Sequence, residues 1–471
     1  MKHPLLRILL LPAFILSVTL SITGCKKANN ATIVSVPTVV SSSTIIDVTT
    51  TTAQSGGIIS ANGNAGITAN GVCYSATNNT PTTADSKTND LVSTVAIGDA
   101  PFTSSLTGLT PNTTYYLRAY ATNSAGTGYG SVIKFTTSSD IASIAGNVTT
   151  LAGNGSPGYL DANGTGAMFN NPQGISVDAN GNVYVSDSYN NYIRKVTPGG
   201  QVSTIAGDGT IGYQDGPVAN AEFYDPMGST FDSQGNLFVA DYGNNVIRKI
   251  TPGGTVSTYA GNGTAGYVDG NTKGDTIEFK NPSGVVFDAA GNLYVTDRGN
   301  QLIRKITPTG AVTTVAGIPS LPNAGYLDGT LFGAAFYDPN ALTIDANNNL
   351  YVADQVNSAI RKVTTPAGVT TTIAGGPKQT NLLNIPVGIT SDKTGNLYIV
   401  DEGGRLLLYT SSNVLYVLAG GWNISGSADG LGTAAQFNNP QGVAIDANGN
   451  IYIADKGNNS IRKVNVVTAT H

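Results

Sequence analysis

A motif that runs from Asn171 to Asp187 returns five more times in the second part of the chain, and it limits the possible folds more than any other feature. The aspartates that close the copies are Asp187, Asp241, Asp297, Asp354, Asp401 and Asp455. Successive copies are separated by 54, 56, 57, 47 and 54 residues. Repeats of this length indicate units that stack on their neighbours and bury a shared core.

Each copy contains the pattern of four short strands. In the first copy, strand a is predicted at 174–178, strand b at 183–185, strand c at 193–196 and strand d at 202–207. An Asn-Gly pair between strands a and b predicts a tight hairpin, because Asn and Gly tolerate positive φ angles. Four-stranded units at this period are typical of β-propeller blades, so the six copies predict six blades within 146–471.

The chain also contains a candidate for ring closure. The last copy ends soon after Val464 and lacks a clear strand d, whereas the segment 148–153, before the first copy, matches strand d in sequence. We expect this N-terminal strand to pair with the C-terminal strands, because closure removes an exposed sheet edge.

The repeats resemble the NHL family, whose units have a Pro-x-Gly start, a Gly-Asn-x-Tyr/Phe middle and an Asn-x-x-Ile-Arg-Lys end. Five of the six copies carry the Ile-Arg-Lys ending, with the arginine at Arg194, Arg248, Arg304, Arg361 and Arg462. The resemblance implies an all-β propeller of six NHL-type blades. The copy at 385–420 has a Gly-Gly-Arg405-Leu-Leu-Leu ending instead, which puts its outer strands in doubt.

The first residues have the pattern of a secretion signal. Lys2 and Arg7 precede an apolar run, which ends in Ile-Thr-Gly-Cys25 and resembles a bacterial lipobox. We therefore expect a lipoprotein signal peptide at 1–24, acylation of Cys25 and a polar tether at 25–35. The resemblance implies a bacterial cell-envelope protein, expected in the outer membrane and facing the periplasm or the cell surface. Membrane contact is expected through the lipid anchor only.

Residues 36–138 predict a separate β-sandwich, because short Thr-, Ser- and Val-rich runs alternate with Gly-containing turns. The segment from Leu109 through Pro111 to Tyr120 resembles the corner before the F strand of fibronectin type III domains. In that family a corner tyrosine hydroxyl bonds to backbone upstream. The tryptophan usual in such cores is missing, and Cys73 is expected to be a small buried residue.

Candidate ligand-binding residues lie in the loops that lead into strand a, which share one propeller face with the b–c loops. Four loops contain Gly-Tyr-x-Asp, and a fifth has an aspartate after the only tryptophan. The candidates are Tyr159, Asp161, Tyr213, Asp215, Tyr267, Asp269, Tyr326, Asp328, Trp422 and Asp429. Such groups could bind sugars by stacking and by accepting hydroxyl hydrogen bonds. The favoured alternative is architectural: each Tyr packs on its own blade and each Asp caps a turn.

Two other sets of carboxylates are expected to be structural. Asp187 and Arg194, with their equivalents, suggest ion pairs at strand ends; as exposed pairs they would contribute little stability. The Asp-x-Asn-Gly-Asn hairpins have their glycine one position too early for a calcium loop and lack the closing bidentate Glu, so we expect them to be turns.

Catalysis is not favoured. Histidine occurs only at His3 and His471, so histidine-dependent lyase chemistry found in related propellers has no residues here. The alternative is a calcium-dependent lactonase-like or esterase-like hydrolase, with the ion at the channel mouth. The residues available for calcium are Asn171, Asp225, Asn281, Asp338 and Asn439, which can equally cap strand a.

The charge narrows the choice of partner. Formal net charge is −5, and loss of the signal would make it more negative, which argues against nucleic acid. The sequence therefore predicts a non-catalytic binding scaffold without a cofactor, whose partner is a glycan or a protein.

Overall fold

A computed structural model describes residues 33–90, 101–138, 143–270, 276–319, 325–377 and 382–469. The predicted signal peptide, Cys25 and most of the predicted tether lie outside these residues. None of the helices in the described ranges is long and apolar enough to cross a bilayer.

The N-terminal unit consists of two sheets that face each other. Its strands are β1 Thr38–Ser41, β2 Ile45–Ile46, β3 Ala53–Ala61, β4 Ala69–Ser75, β5 Ser86–Lys87, β6 Pro101–Leu106, β7 Thr114–Asn123, β8 Gly126–Tyr129 and β9 Ile133–Thr136. Strand β3 pairs with β1, β2 and β6, whereas β7 pairs with β4, β8 and β9. Apolar residues of both sheets, such as Ile59 and Leu117, form one buried core.

Two local expectations for this unit are met. The hydroxyl of Tyr115 accepts a hydrogen bond from the backbone N–H of Thr110 at 3.0 Å, so a tyrosine does secure the corner before β7. Cys73 is buried, and its burial raises the pKa of the thiol. A buried neutral thiol packs as a small apolar group.

The rest of the described chain forms six four-stranded antiparallel sheets, here called blades 1 to 6. Within each blade the strands a to d follow in order from the innermost outward. Blade 1 comprises β11 Pro172–Val177, β12 Val183–Asp187, β13 Tyr192–Val196 and β14 Val202–Ala206. Blade 2 comprises β16 Pro226–Phe231, β17 Leu237–Asp241, β18 Val246–Ile250 and β19 Thr255–Ala260. Blade 3 comprises β20 Pro282–Phe287, β21 Leu293–Asp297, β22 Leu302–Ile306 and β23 Val312–Ala316.

Blades 4 to 6 have the same plan. Blade 4 comprises β25 Pro339–Ile344, β26 Leu350–Asp354, β27 Ala359–Thr364 and β28 Val369–Gly375. Blade 5 comprises β29 Pro386–Ser391, β30 Leu397–Asp401, β31 Arg405–Tyr409 and β32 Val414–Gly420. Blade 6 comprises β34 Pro440–Ile445, β35 Ile451–Asp455, β36 Ser460–Ala469 and β10 Ser143–Ala152. Two-residue strands β15 Gly216–Pro217, β24 Gly329–Thr330 and β33 Gly430–Leu431 add to outer strands. The four strands predicted for blade 1 are present, each within about two residues of its expected bounds, and blade 5 keeps both of its outer strands.

The N-terminal strand closes the ring. Strand β10 pairs antiparallel with β36 and supplies strand d of blade 6, with Val148 opposite Val464. The predicted closure is therefore present, and the pairing begins at Ser143, earlier than the sequence suggested.

Glycines in strand a show how closely neighbouring blades approach. A Cβ added to Gly174 would lie 1.9 Å from the carbonyl oxygen of Met227 in the next blade. At the other end of the ring, a Cβ on Gly442 would lie 2.3 Å from the carbonyl oxygen of Gln173. Close contact with the backbone of the next innermost strand thus explains the glycine in the five blades that have it, whereas blade 4 has Ala341 at this position.

The N-terminal unit is joined to blade 5 through its sheet. Strand β2 pairs in parallel with β32, with Ile45 opposite Val414 and Ile46 opposite Leu415. Val414 belongs to the core of the N-terminal unit, and Ile46 packs against the core of blade 5. This continuity positions the propeller on the N-terminal unit.

Candidate functional site

The loop aspartates proposed from the sequence as ligand groups are bound within their own blades. In blade 1 the guanidinium of Arg194 contacts Asp161 at 2.5 Å, and the backbone N–H of Thr204 donates to the same carboxylate at 2.9 Å. Corresponding ion pairs join Arg248 to Asp215, Arg304 to Asp269, Arg361 to Asp328 and Arg462 to Asp429. These carboxylates fasten the loop to strands c and d.

The aromatic partners also lie within single blades. Tyr159, Tyr213 and Tyr326 cover the guanidinium groups of Arg194, Arg248 and Arg361, with the guanidinium carbon 4.8, 5.4 and 5.1 Å from the ring centre. These tyrosines and Tyr267 are about half-exposed, and the ring of Tyr159 also stacks on Tyr192 with ring centres 4.4 Å apart. The structure thus does not gather the Tyr and Asp candidates into one shared pocket.

The strand-end ion pairs differ from expectation because they are buried. The side chains of Asp187 and Arg194 are both 0% exposed, and Arg194 Nη1 lies 2.7 Å from Asp187 Oδ2. The same geometry joins Asp241 to Arg248, Asp297 to Arg304, Asp354 to Arg361 and Asp455 to Arg462. Burial raises the pKa of Asp187 to about 6, although hydrogen bonds from Asn170, Asn190 and Arg194 act in the opposite direction. The expectation that these pairs are exposed was wrong, because strand order alone does not reveal how neighbouring loops cover them.

Trp422 has a partner that the repeat pattern did not predict. The guanidinium of Arg405 lies over its ring at 4.1 Å, and Arg405 bonds to Asp401 at 2.5 Å. Trp422 therefore provides for blade 5 the aromatic cover that loop tyrosines provide elsewhere. Its ring remains 40% exposed.

The Asp-x-Asn-Gly-Asn hairpins are turns, as expected. Oδ1 of Asp178 accepts hydrogen bonds from the backbone N–H groups of Asn180 and Asn182, both at 2.9 Å, and Oδ2 accepts from the Asn182 amide. The carboxylate is saturated by its own turn.

The innermost strands enclose a central cavity of about 320 Å³. The second residue of each strand a, directly after the proline, lines this cavity at the end where the strand begins. These residues are Gln173, Met227, Ser283, Asn340, Val387 and Gln441. Buried amides are bonded here: Gln173 donates to Asp225 at 3.1 Å, and Asn340 donates to the carbonyl of Val387 at 3.1 Å.

The residues weighed as calcium ligands surround this end, the channel mouth. Asn171, Asp225, Asn281, Asp338 and Asn439 have φ between 50° and 61°, a region that Asn and Asp tolerate better than most residues. Asp338 is bound by both Nε and Nη2 of Arg298, at 2.9 and 2.6 Å. Within the described ranges, no three His, Cys, Asp or Glu side chains are grouped so as to hold a metal ion.

A second ring of residues at the mouth was missed by the sequence reasoning. The position directly after the strand-b aspartate begins each b–c loop and is different in every blade: Ser188, Tyr242, Arg298, Gln355, Glu402 and Lys456. The sequence contained a signal for this ring, because the position varies from copy to copy although the aspartate directly before it is the same in all six.

These mouth residues contact one another across blades. Gln355 of blade 4 donates to Glu402 of blade 5 at 3.1 Å, and Arg298 of blade 3 bonds to Asp338 at the start of blade 4. Burial lowers the pKa of Lys456, as does Arg298, whereas Asp225 and Glu402 raise it. The pKa of Lys456 of blade 6 thus depends on charged groups of blades 2, 3 and 5.

The arrangement offers donors, acceptors and an aromatic ring within one polar opening. Arg298 and Lys456 carry positive charge, Asp225, Asp338 and Glu402 carry negative charge, and the charges nearly balance. Such a set can bind a polar ligand, but it provides neither a histidine base nor an activated nucleophile.

Comparison with known proteins agrees with this architecture. The NHL repeat family matches residues 169–195, 279–306 and 437–464, in blades 1, 3 and 6. The Arabidopsis thaliana protein SUPPRESSOR OF QUENCHING 1, chloroplastic, is 27% identical over 323 residues, which cover 63% of this chain and 30% of that protein. The chain thus spans less than a third of that relative's length.

Two solved structures resemble nearly the whole chain. A Bacteroides thetaiotaomicron VPI-5482 protein of unknown function has a TM-score of 0.54 at 18% identity and covers 91% of this chain and 98% of its own. An auxiliary nutrient binding protein from the same organism has a TM-score of 0.51 at 15% identity, with the same coverage. The chain is therefore an all-β protein that carries NHL repeats and has the fold of propeller-like structures.

Proposed function

We propose that this protein is an envelope-anchored, non-catalytic binding protein, in which a six-bladed NHL propeller is carried on a fibronectin type III-like sandwich. The ligand binds on the face formed by the b–c loops and the loops into strand a, here called the loop face. Its anchor is the acylated Cys25 expected from the sequence.

The distribution of exposed apolar side chains carries this proposal. In the described part of the propeller, most of the large exposed apolar residues, such as Tyr213, Tyr267 and Trp422, belong to the loops of the loop face. The exceptions are Leu331, which contacts the c–d turn of blade 4, and Val417, Leu431, Val466 and Val467 on outer strands. The opposite face carries the polar turns between strands a and b, together with the c–d turns. An apolar and aromatic rim concentrated on one face marks an interaction surface.

The polar mouth inside this rim favours a neutral, hydroxyl-rich ligand, namely a glycan. Sugars present apolar ring faces to aromatic side chains and hydroxyl groups to both donors and acceptors. Fixed pairs such as Gln355 with Glu402 supply donors and acceptors side by side. A protein partner would use the same rim and is the other outcome of the test.

The structural neighbours support a binding role. The Bacteroides thetaiotaomicron protein described as an auxiliary nutrient binding protein, and one of the same description from Bacteroides ovatus, each cover 91% of this chain. Transfer of nutrient binding to this chain is part of the proposal, as is a location in the cell envelope.

A glycan array tests the proposal. We expect wild type to bind at least one glycan, and Lys456→Ala and Glu402→Ala at the mouth to weaken binding about tenfold or more. Lys195→Ala, on an outer strand of blade 1, is the matched control and should bind like wild type. If Lys456→Ala and Glu402→Ala bind the glycan as tightly as wild type does, the ligand does not bind at the mouth. If wild type binds no glycan on the array, a protein partner is favoured instead.

The anchor is tested separately. Cys25→Ser should release the protein from the membrane fraction, because acylation requires the thiol. Retention of the variant in membranes would refute the lipid anchor.

The calcium-dependent hydrolase remains the competing proposal, since Asp225 and Asp338 lie at the mouth. The bond of Arg298 to Asp338 supports the binding role, because a guanidinium already neutralises that carboxylate. Calorimetric titration distinguishes the two: heat of binding at millimolar calcium, together with ester hydrolysis, would favour the hydrolase.

A further inference from the structure

A second cavity, of about 790 Å³, opens between blades 4 and 5 on the face opposite the loop face. It is lined by the turns after β25 and β29, by the turn after β31 and by side chains of the outer strands. Its volume falls within the range of about 300–1,000 Å³ that is typical of ligand pockets.

One break in the repeat explains why the cavity exists. The last residue of strand a is large and apolar in five blades, where it is Val177, Phe231, Phe287, Ile344 or Ile445, but it is Ser391 in blade 5. In blade 2 this residue, Phe231, packs edge-on against Tyr184 of blade 1 with ring centres 4.9 Å apart. Tyr351 of blade 4 and Ser391 of blade 5 occupy the equivalent positions and both line the cavity, so a small side chain stands where a large apolar one fills the space elsewhere.

A second break lies in the same cavity. The position after the turn aspartate is Ala or Ser in the other five blades, at Ala179, Ser233, Ala289, Ala346 and Ala447, but it is Lys393 in blade 5. Ser391 and Lys393 both line the cavity. Two departures from the repeat thus converge on one pocket.

The walls and rim of the cavity define the chemistry of its ligand. Tyr351, Ile373, Leu397 and Tyr409 provide an apolar and aromatic wall. Tyr409 is additionally fixed, because its hydroxyl donates to the carbonyl of Ile373 at 3.1 Å. Such a wall suits a flat ring.

The charged groups that line the cavity differ in whether they already have partners. Asp392 accepts from the backbone N–H groups of Thr394 and Asn396 at 2.9 and 3.0 Å and from the Asn396 amide at 2.9 Å. Asp345 is occupied in the same way by its own turn. Lys362 and Lys393, in contrast, have no carboxylate ion-pair partner among the described residues. An acceptor-rich anionic group on the ligand complements these ammonium groups.

We propose that this cavity is a second binding site, which takes a ring compound that carries a carboxylate. The ring packs on Tyr351 and Tyr409, and the carboxylate lies toward Lys362 and Lys393. Both a sugar acid and an aromatic acid have this chemistry. The site is separate from the loop face and does not depend on the function proposed there.

Isothermal titration of the intact protein with glucuronate, benzoate and glucose tests the proposal. We expect one or both acids to bind, and glucose to bind at least about tenfold more weakly. Binding of glucuronate alone identifies a sugar acid, and binding of benzoate alone identifies an aromatic acid. Equal binding of glucose, or no heat from either acid at about 10 mM, would overturn the proposal.

Two variants that restore the repeat locate the site. Ser391→Ile places an apolar side chain in the cavity and Lys393→Ala removes the ammonium group, and each should weaken acid binding about tenfold or more. Ser391→Ile also removes the hydrogen bonds of the Ser391 hydroxyl to Thr343 and Ile344, so the melting temperature of each variant is measured to show that the fold is intact. Lys305→Ala is the matched control, because Lys305 occupies in blade 3 the position of Lys362 and lies over Tyr294 at 5.8 Å, as Lys362 lies over Tyr351 at 5.7 Å. Undiminished acid binding by Ser391→Ile with an intact fold would show that the acid binds elsewhere.

Discussion

In every blade except blade 5 a buried arginine contacts two aspartates in very different surroundings, and this difference can be measured in blade 3. Arg304 contacts Asp297, which is 0% exposed, and Asp269, which is 44% exposed. Its guanidinium also donates to the carbonyls of Glu278 and Val268, at 3.2 and 3.0 Å. Removal of the guanidinium therefore leaves a buried carboxylate without its cation and takes one donor from each of the two carbonyls, although the backbone N–H of Glu278 still donates to the carbonyl of Val268.

We expect Arg304→Met to lower the free energy of unfolding by about 3–5 kcal/mol, the cost of leaving one member of a buried ion pair uncompensated. We expect Asp269→Asn to cost below about 1 kcal/mol, because the exposed carboxylate is solvated and Arg304 keeps Asp297. The methionine retains much of the arginine volume, so lost packing contributes little to the difference.

Urea denaturation, followed by far-ultraviolet circular dichroism and by the fluorescence of Trp422, measures both effects. Trp422 is the only tryptophan in the chain and lies in a different blade, so neither substitution disturbs the probe directly. Equal losses for the two variants, or a loss below about 1 kcal/mol for Arg304→Met, would refute the assignment of stability to the buried pair.

Three further predictions follow from the fold. Deletion of 147–153 removes most of the strand that closes blade 6, so the melting temperature should fall sharply; an unchanged value would contradict the closure. Gly442→Ala should cost about 1–3 kcal/mol in urea denaturation because the added Cβ meets the carbonyl of Gln173, whereas Gly66→Ala, with open space around it, should be nearly neutral. Burial opposes ionisation of Asp446, but hydrogen bonds within its turn outweigh this and lower its pKa. The stability that its charge contributes is therefore present above about pH 4 and lost as the pH falls through the lowered pKa; melting temperatures from pH 5 to 3 should fall less for Asp446→Asn than for wild type.

Much of the fold could be predicted because the signals are local. Alternating apolar residues and Asn-Gly turns placed strands b and c of blade 1 within two residues of their observed bounds. The match between 148–153 and strand d also led to the observed closure. The candidate site was harder, because a Gly-Tyr-x-Asp loop does not show that its aspartate is already bound to an arginine 33 residues later.

The docking of the N-terminal unit was not predictable from these signals. Blade 5 departs from the repeat at its outer strands, and the structure shows that β32 is the strand to which β2 is added. Without a repeated partner, a two-residue strand such as Ile45–Ile46 gives no periodic signal. The sequence thus showed that blade 5 differs from the other blades, but it did not show what blade 5 contacts.

The amino-acid sequence alone determined the strand content, the turns, the number of repeats and the closing segment, because backbone preferences and apolar periodicity act over a few neighbouring residues. Only the tertiary structure decided which carboxylates are buried, which side chains surround the channel mouth and where Ser391 leaves a cavity. Those properties depend on desolvation and packing between blades, which bring together residues that are distant in the chain.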